Sequence, residues 1–245
     1  MAAATSYRQP RFRPPKGATE LLLVRHGESE AAVPGRPFPL VDGHGDPALA
    51  PDGREQAQRV GDRLAGGRVD AIYVTTLRRT VETAAPLAAR LGLTPVVETD
   101  LREVGLGSWE GGLFRKKVAE GDPLVVQMFA QERWDVIPGA EPAGTFTARV
   151  AAGLARIVAA HVDGRVVVVT HGGVIGEAMA QATRSRPFAF TGSDNGSISH
   201  LVAVEGRWVV RGFNDTAHLA SLPGGPGDGL APDPDLPADA GSFSA

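Results

Sequence analysis

The chain of 245 residues contains no cysteine. That absence excludes a disulfide framework and thiolate metal sites, and it fits a reducing compartment, so a cytoplasmic location is the expectation. No apolar run approaches the roughly 18 residues that span a membrane, and the N-terminus lacks the apolar core of a secretory signal, so no membrane partner is expected. An excess of one charge is missing as well. With a formal net charge of −3 there is no global basic field to hold nucleic acid, and any anion site must be local. His44, His161, His200 and His218 lack metal-ligand spacing, and no metal site is assigned. Neither a P-loop nor a Gly-x-Ser-x-Gly elbow is found, which leaves nucleotide hydrolysis by that route and serine-esterase chemistry without support.

A hydrophobic content of 42% supports one substantial core. Residues 1–16 carry Arg8, Arg11, Arg13 and Lys16 among prolines and read as a flexible basic arm. Residues 221–245 are dominated by Pro, Gly and Asp and read as a disordered tail. Between them, residues 17–220 alternate short apolar runs with segments of helical period, the pattern of a three-layer α/β/α domain with a mainly parallel central sheet. Strands are expected at 20–24, 71–75, 95–98, 166–170, 198–204 and 208–213. Helices are expected at 52–65, 79–91, 124–132, 145–162 and 174–183. Asp52 is expected to cap the first helix and Thr76 to precede the second.

Two strands end in histidine, "LLLVRHG" and "VVVVTHGG". In open α/β sheets ligands gather beyond the carboxyl ends of the strands, and four polar features share that position. They are Arg25-His26-Gly27, Leu77-Arg78-Arg79-Thr80, Leu101-Arg102-Glu103 and His171-Gly172-Gly173. Arginines near a helix start suit an oxyanion, phosphate foremost, because the guanidinium fork bonds bidentately and the helix terminus adds N–H donors. A neutral imidazole presents one lone pair as a nucleophile, so His26 is a candidate to attack phosphorus.

The segments "LLLVRHGESE", "GHGDPALAPDGREQA", "TTLRRTVETA", "LREVGLGSWEG", "VVVVTHGG", "NGSISHL" and "GRWVVRGFNDTAHL", in this order over residues 19–219, resemble the histidine phosphatase superfamily, with its phosphoglycerate mutase-like fold. The resemblance implies that His26 becomes transiently phosphorylated. Arg25 and Arg79 then bind the phosphoryl group, with Ser29 and Gly172 beside them. Arg79 is preferred to Arg78 because Thr75, Leu77 and Arg79 fit a Ser/Thr-x-Leu-x-Arg pattern. His171 donates a hydrogen bond to a transferring oxygen. Glu103 is the proton donor and must carry its proton to act, which burial or a neighbouring acid such as Glu110 would favour. No metal or other cofactor is implied.

The chain departs from the family pattern at Ala32, where many members carry a phosphate-binding asparagine. Arg36, in the loop that follows, is a candidate replacement. Val104 stands after Glu103 where the mutases usually carry arginine, and Arg115, Lys116 and Lys117 read as a solvated helix face. A phosphomonoesterase acting on a small phosphorylated metabolite is therefore favoured, ahead of a mutase-type phosphotransferase and of a weakly catalytic phosphate-binding module. A cap is expected over residues 104–142, with Trp109, Phe114, Met128, Phe129 and Trp134 as possible walls. Substrate identity and oligomeric state are not written in these features.

Overall fold

The run Leu21–Val24 is apolar at every position, and a computed structural model, which describes residues 7–220, builds it into strand β1 (Thr19–Arg25). In chain order there follow the two-residue strands β2 (Leu40–Val41) and β3 (His44–Gly45), then α1 (Pro51–Ala65), β4 (Ala71–Val74), α2 (Arg78–Leu91) and β5 (Val96–Val97). Next come α3 (Leu113–Ala119), α4 (Pro123–Gln131), α5 (Ala143–Ala160), β6 (Arg165–Thr170), α6 (Gly172–Thr183), β7 (Ile198–Val204) and β8 (Arg207–Asp215). Six strands form one sheet in the order β5-β4-β6-β1-β7-β8. The first four run parallel, and β7 and β8 add an antiparallel edge.

Alternation along β1 divides the core into two layers, since successive side chains of a strand point to opposite faces. Leu22 and Val24 pack with Val60 and Leu64 of α1 and Leu87 of α2. Leu21 and Leu23 pack on the other face with Val150, Leu154 and Ile157 of α5 and Ile175 and Met179 of α6. The four consecutive valines of β6, Val166–Val169, are buried at 1% exposure or less because helices cover both faces. Burying each such side chain contributes about 1.5–3 kcal/mol, and the sheet's carboxyl edge is therefore a rigid platform.

The cap expected at Asp52 is not formed, and Thr76 precedes the second helix as expected. The N-cap of α1 is Ala50, with Pro51 at the first helical position and Asp52 one residue further in, where its charge meets the helix dipole. Leu77 takes the cap position of α2, one residue after Thr76, and no side chain caps the helix. The fourth expected helix, at 145–162, begins and ends two residues earlier, at Ala143 and Ala160. Helix α3 and the β2–β3 hairpin lie where no element was expected; both are too short to show a period. Residues 7–16 are exposed and without regular structure, whereas residues 1–6 and the tail at 221–245 lie outside the described residues. No helix among the described residues is long and apolar enough to cross a membrane.

Candidate active site

Strands β1 and β6 pair in register, with Arg25 opposite Thr170, so His26 and His171 leave the sheet side by side. Their ring centroids are 5.2 Å apart. The His26 backbone is fixed by its N–H to Thr170 O at 3.0 Å and by Asn195 Nδ2 donating to its carbonyl at 2.8 Å. His26 Nδ1 lies 2.8 Å from Gly27 O, an acceptor only, so the proton belongs on Nδ1 and the lone pair on Nε2. Arg79 Nε donates to that Nε2 at 3.2 Å. Burial, reinforced by the Arg79 and Arg25 charges, holds His26 well below the ordinary imidazole value, so it is neutral at physiological pH. Gly27 cannot be larger, because a Cβ there would strike the carbonyl of Gly53 at the start of α1.

Arg79 sits in the first turn of α2 and is 8% exposed. Its Nη1 donates to Gly45 O at 2.8 Å, which ties the β2–β3 hairpin to the site. Burial lowers it to about 10, against the opposing pull of Glu103, and it stays charged at neutral pH. Arg78 points outward and pairs with Glu82 at 2.5 Å. Thr75, at the end of β4, places Oγ1 3.1 Å from His171 Nε2. His171 is fully buried and, through burial first and then Arg79, also lies well below its ordinary value.

Arg25 donates through Nη1 to Ser193 O, while its buried Nε has no protein partner; His171 Nδ1 is buried and unpartnered in the same way. Buried polar atoms are nearly always satisfied, so two orphans on the residues that adjoin the His26 ring mark a place for a ligand. Gly172 opens α6 beside Arg25, where an added Cβ would make only ordinary contact at 3.4 Å. The closer approach is at the next glycine, since a Cβ on Gly173 would lie 2.5 Å from Glu103 Oε1 and the carboxylate would have to shift.

The Glu103 carboxylate accepts from the backbone N–H of Val104 at 2.9 Å and of Gly173 at 3.2 Å. Its own carbonyl is held by Arg149 Nη2 at 2.8 Å and lies 3.0 Å from His44 Nε2. Arg149 also bonds the carbonyls of Asp100 and Arg102 and pairs with Glu141 at 2.6 Å, so one α5 side chain fixes the loop carrying Glu103. Glu110 is committed elsewhere, accepting from the backbone of Gly45 and Leu106. His161, His200 and His218 meet Tyr73, Glu20 and the Gly196 carbonyl respectively.

Arg115 is exposed, as expected of a solvated helix face, and makes a contact that the sequence does not announce. It belongs to α3 and reaches back to Ser29, donating through Nη2 to Ser29 Oγ at 2.6 Å and through Nη1 to Glu30 O at 2.8 Å. Arg36, the expected replacement donor, is exposed in a turn with its N–H on Val33 O. Within residues 104–142, Trp109 and Met128 are core, buried with Val125 and Ile137 in a separate apolar cluster. Trp134 and Phe188, at 5.1 Å between rings, instead line a cavity of about 420 Å³ that also borders Phe146, Gly173 and Glu177. Among the described residues no group of three or more His, Cys, Asp or Glu is placed to hold a metal ion.

Residues 21–216 match the histidine phosphatase superfamily (branch 1). Phosphoglycerate mutase-like protein 4 of Arabidopsis thaliana is 35% identical over 207 residues, covering 82% of this chain and 86% of that one. The metal-independent phosphoserine phosphatase of the same plant is 31% identical over 208 residues, covering 83% and 84%. Among solved structures, YhfR of Bacillus stearothermophilus superposes with a TM-score of 0.70 at 28% identity, over 82% of this chain and 99% of that one.

Proposed function

The chain belongs to the histidine phosphatase superfamily, branch 1, and from that premise we propose that it hydrolyses a small phosphorylated metabolite through a phosphohistidine on His26. The observation that carries this reading is the convergence on His26 Nε2. A neutral lone pair there accepts from Arg79 Nε, and the two residues beside the His26 ring, Arg25 before it in the chain and His171 with its ring centroid 5.2 Å away, each hold a buried nitrogen without a protein partner.

In the first step Nε2 attacks phosphorus in line, the N–P bond forms and the P–O bond to the alcohol breaks. Arg25, Arg79, the Gly172 N–H at the α6 terminus and His171 Nδ1–H stabilise the charge on the equatorial oxygens. The Thr75 hydroxyl, donating to His171 Nε2, keeps that proton on Nδ1. Protonated Glu103 delivers its proton to the departing oxygen. In the second step the Glu103 carboxylate takes a proton from water, the water oxygen attacks phosphorus, and the N–P bond breaks to return the lone pair to Nε2. Inorganic phosphate leaves. The arginines supply the positive charge that a metal ion would otherwise provide.

The alcohol is received by the cavity beside Gly173, walled by Trp134, Phe146 and Phe188. Phosphoserine, which the Arabidopsis phosphatase is named for, is the first substrate to assay. Turnover of p-nitrophenyl phosphate in excess chelator, abolished by His26→Ala, is the expected result. Undiminished turnover by His26→Ala would overturn the reading.

A further inference from the structure

The geometry points to Arg115 as a third arginine on the substrate phosphate, delivered by the cap helix rather than by the sheet edge. This rests on the phosphatase reading above and adds to it a ligand from outside the strand-end motifs.

Four observations carry it. Arg115 Nη2 is 2.6 Å from the Oγ of Ser29, a side chain only 4% exposed that lies three residues from the nucleophile. Its charge is felt at both His26 and Arg79, lowering the proton affinity of each. The Arg115 guanidinium also stacks over Phe38, with its carbon 5.5 Å from the ring centroid, which presets its direction. Finally, the start of α3 is pressed onto the position of the absent asparagine. A Cβ on Gly112, which stands at a φ of +96°, would be 2.9 Å from both Ala32 Cβ and the Phe38 ring. The small side chain at Ala32 thus admits the helix that brings Arg115 in. A guanidinium has a fork of five donors, so it can hold the Ser29–Glu30 loop and an anion oxygen together.

The test is inhibition by inorganic phosphate, measured with p-nitrophenyl phosphate as substrate, in the full-length protein and in Arg115→Ala, Arg115→Lys and Arg79→Ala. Thermal unfolding confirms that each variant is folded. If Arg115 binds phosphate, Arg115→Ala weakens phosphate inhibition and raises KM by about ten- to a hundredfold, with kcat changed far less, as loss of one charge-assisted bond requires. Arg115→Lys retains part of the affinity through its charge. Phosphate inhibition unchanged in Arg115→Ala while Arg79→Ala weakens it assigns Arg115 to loop clamping and overturns the proposal. A lower kcat with unchanged phosphate inhibition does the same. A full-length protein that neither turns over nor binds phosphate overturns instead the phosphatase reading on which the proposal rests.

Discussion

Substituting Gly173→Ala tests how Glu103 is held. The added Cβ would lie 2.5 Å from Glu103 Oε1, about 0.9 Å closer than the 3.4 Å at which ordinary contact begins. Gly173 does not stand at positive φ, so its backbone accepts alanine and the helix gains up to about 1 kcal/mol. The strain therefore falls on the carboxylate, which loses its 3.2 Å bond from the Gly173 N–H and moves by most of an ångström. Displacements of about 1 Å cost on the order of 10²-fold, within the roughly 10²–10⁴-fold that proton transfer contributes. An alkyl phosphate should then show kcat reduced by about 10²-fold, close to 2.7 kcal/mol in activation free energy. An aryl ester, whose leaving oxygen needs little protonation, should lose much less. Phosphate inhibition should not change, because no phosphate-binding side chain is touched. Equal losses on both esters, or weakened phosphate binding alongside them, would refute the assignment of Glu103 as proton donor.

Thr75→Val removes the hydroxyl 3.1 Å from His171 Nε2 and lets the ring change tautomer; kcat should fall about tenfold or more in steady-state assays while the fold persists. Arg149→Met removes the Glu141 pair and three carbonyl bonds to the Glu103 loop. Denaturant unfolding should show a loss of roughly 2–4 kcal/mol, somewhat less than the roughly 3–5 kcal/mol for a fully buried pair because the two side chains are 17% and 15% exposed. Stability should also depend on pH through His26 and His171, whose folded values are depressed. As pH falls below about 6.5 the unfolded chain binds protons that the folded chain refuses, so stability declines by at most about 1.4 kcal/mol per pH unit for each histidine. Urea titrations from pH 7.5 to 5 should show that slope, and His26→Asn should reduce it.

The strand-end residues were legible because their chemistry is local. An apolar run fixes a strand, parallel pairing fixes which end faces the ligand, and the residue after the strand must then project there. His26 and His171 followed from that logic, and the arginine pattern separated Arg79 from Arg78, whereas the contact of Thr75 with His171 emerged only in the fold. The contact of Arg115 with Ser29 was not legible, because it depends on a seven-residue helix folding back onto a partner 86 positions earlier in the chain. A basic run alone reads as solvated surface. Arg149 was hidden for a similar reason, lying within a helical period and acting on carbonyl oxygens, which leave no trace in side-chain identity. The distinction between Gly172 and Gly173 needed the position of Glu103, which a loop sequence does not supply.

The phosphohistidine itself is the central claim. Rapid mixing with a ³²P-labelled phosphate ester, followed by alkaline quenching and peptide mapping, should give an acid-labile, base-stable label on the peptide containing His26. His171→Ala should keep the label at His26 at reduced yield, and His26→Ala should carry none. A label on any other residue, or rapid turnover with no labelled protein at any time, would contradict the account.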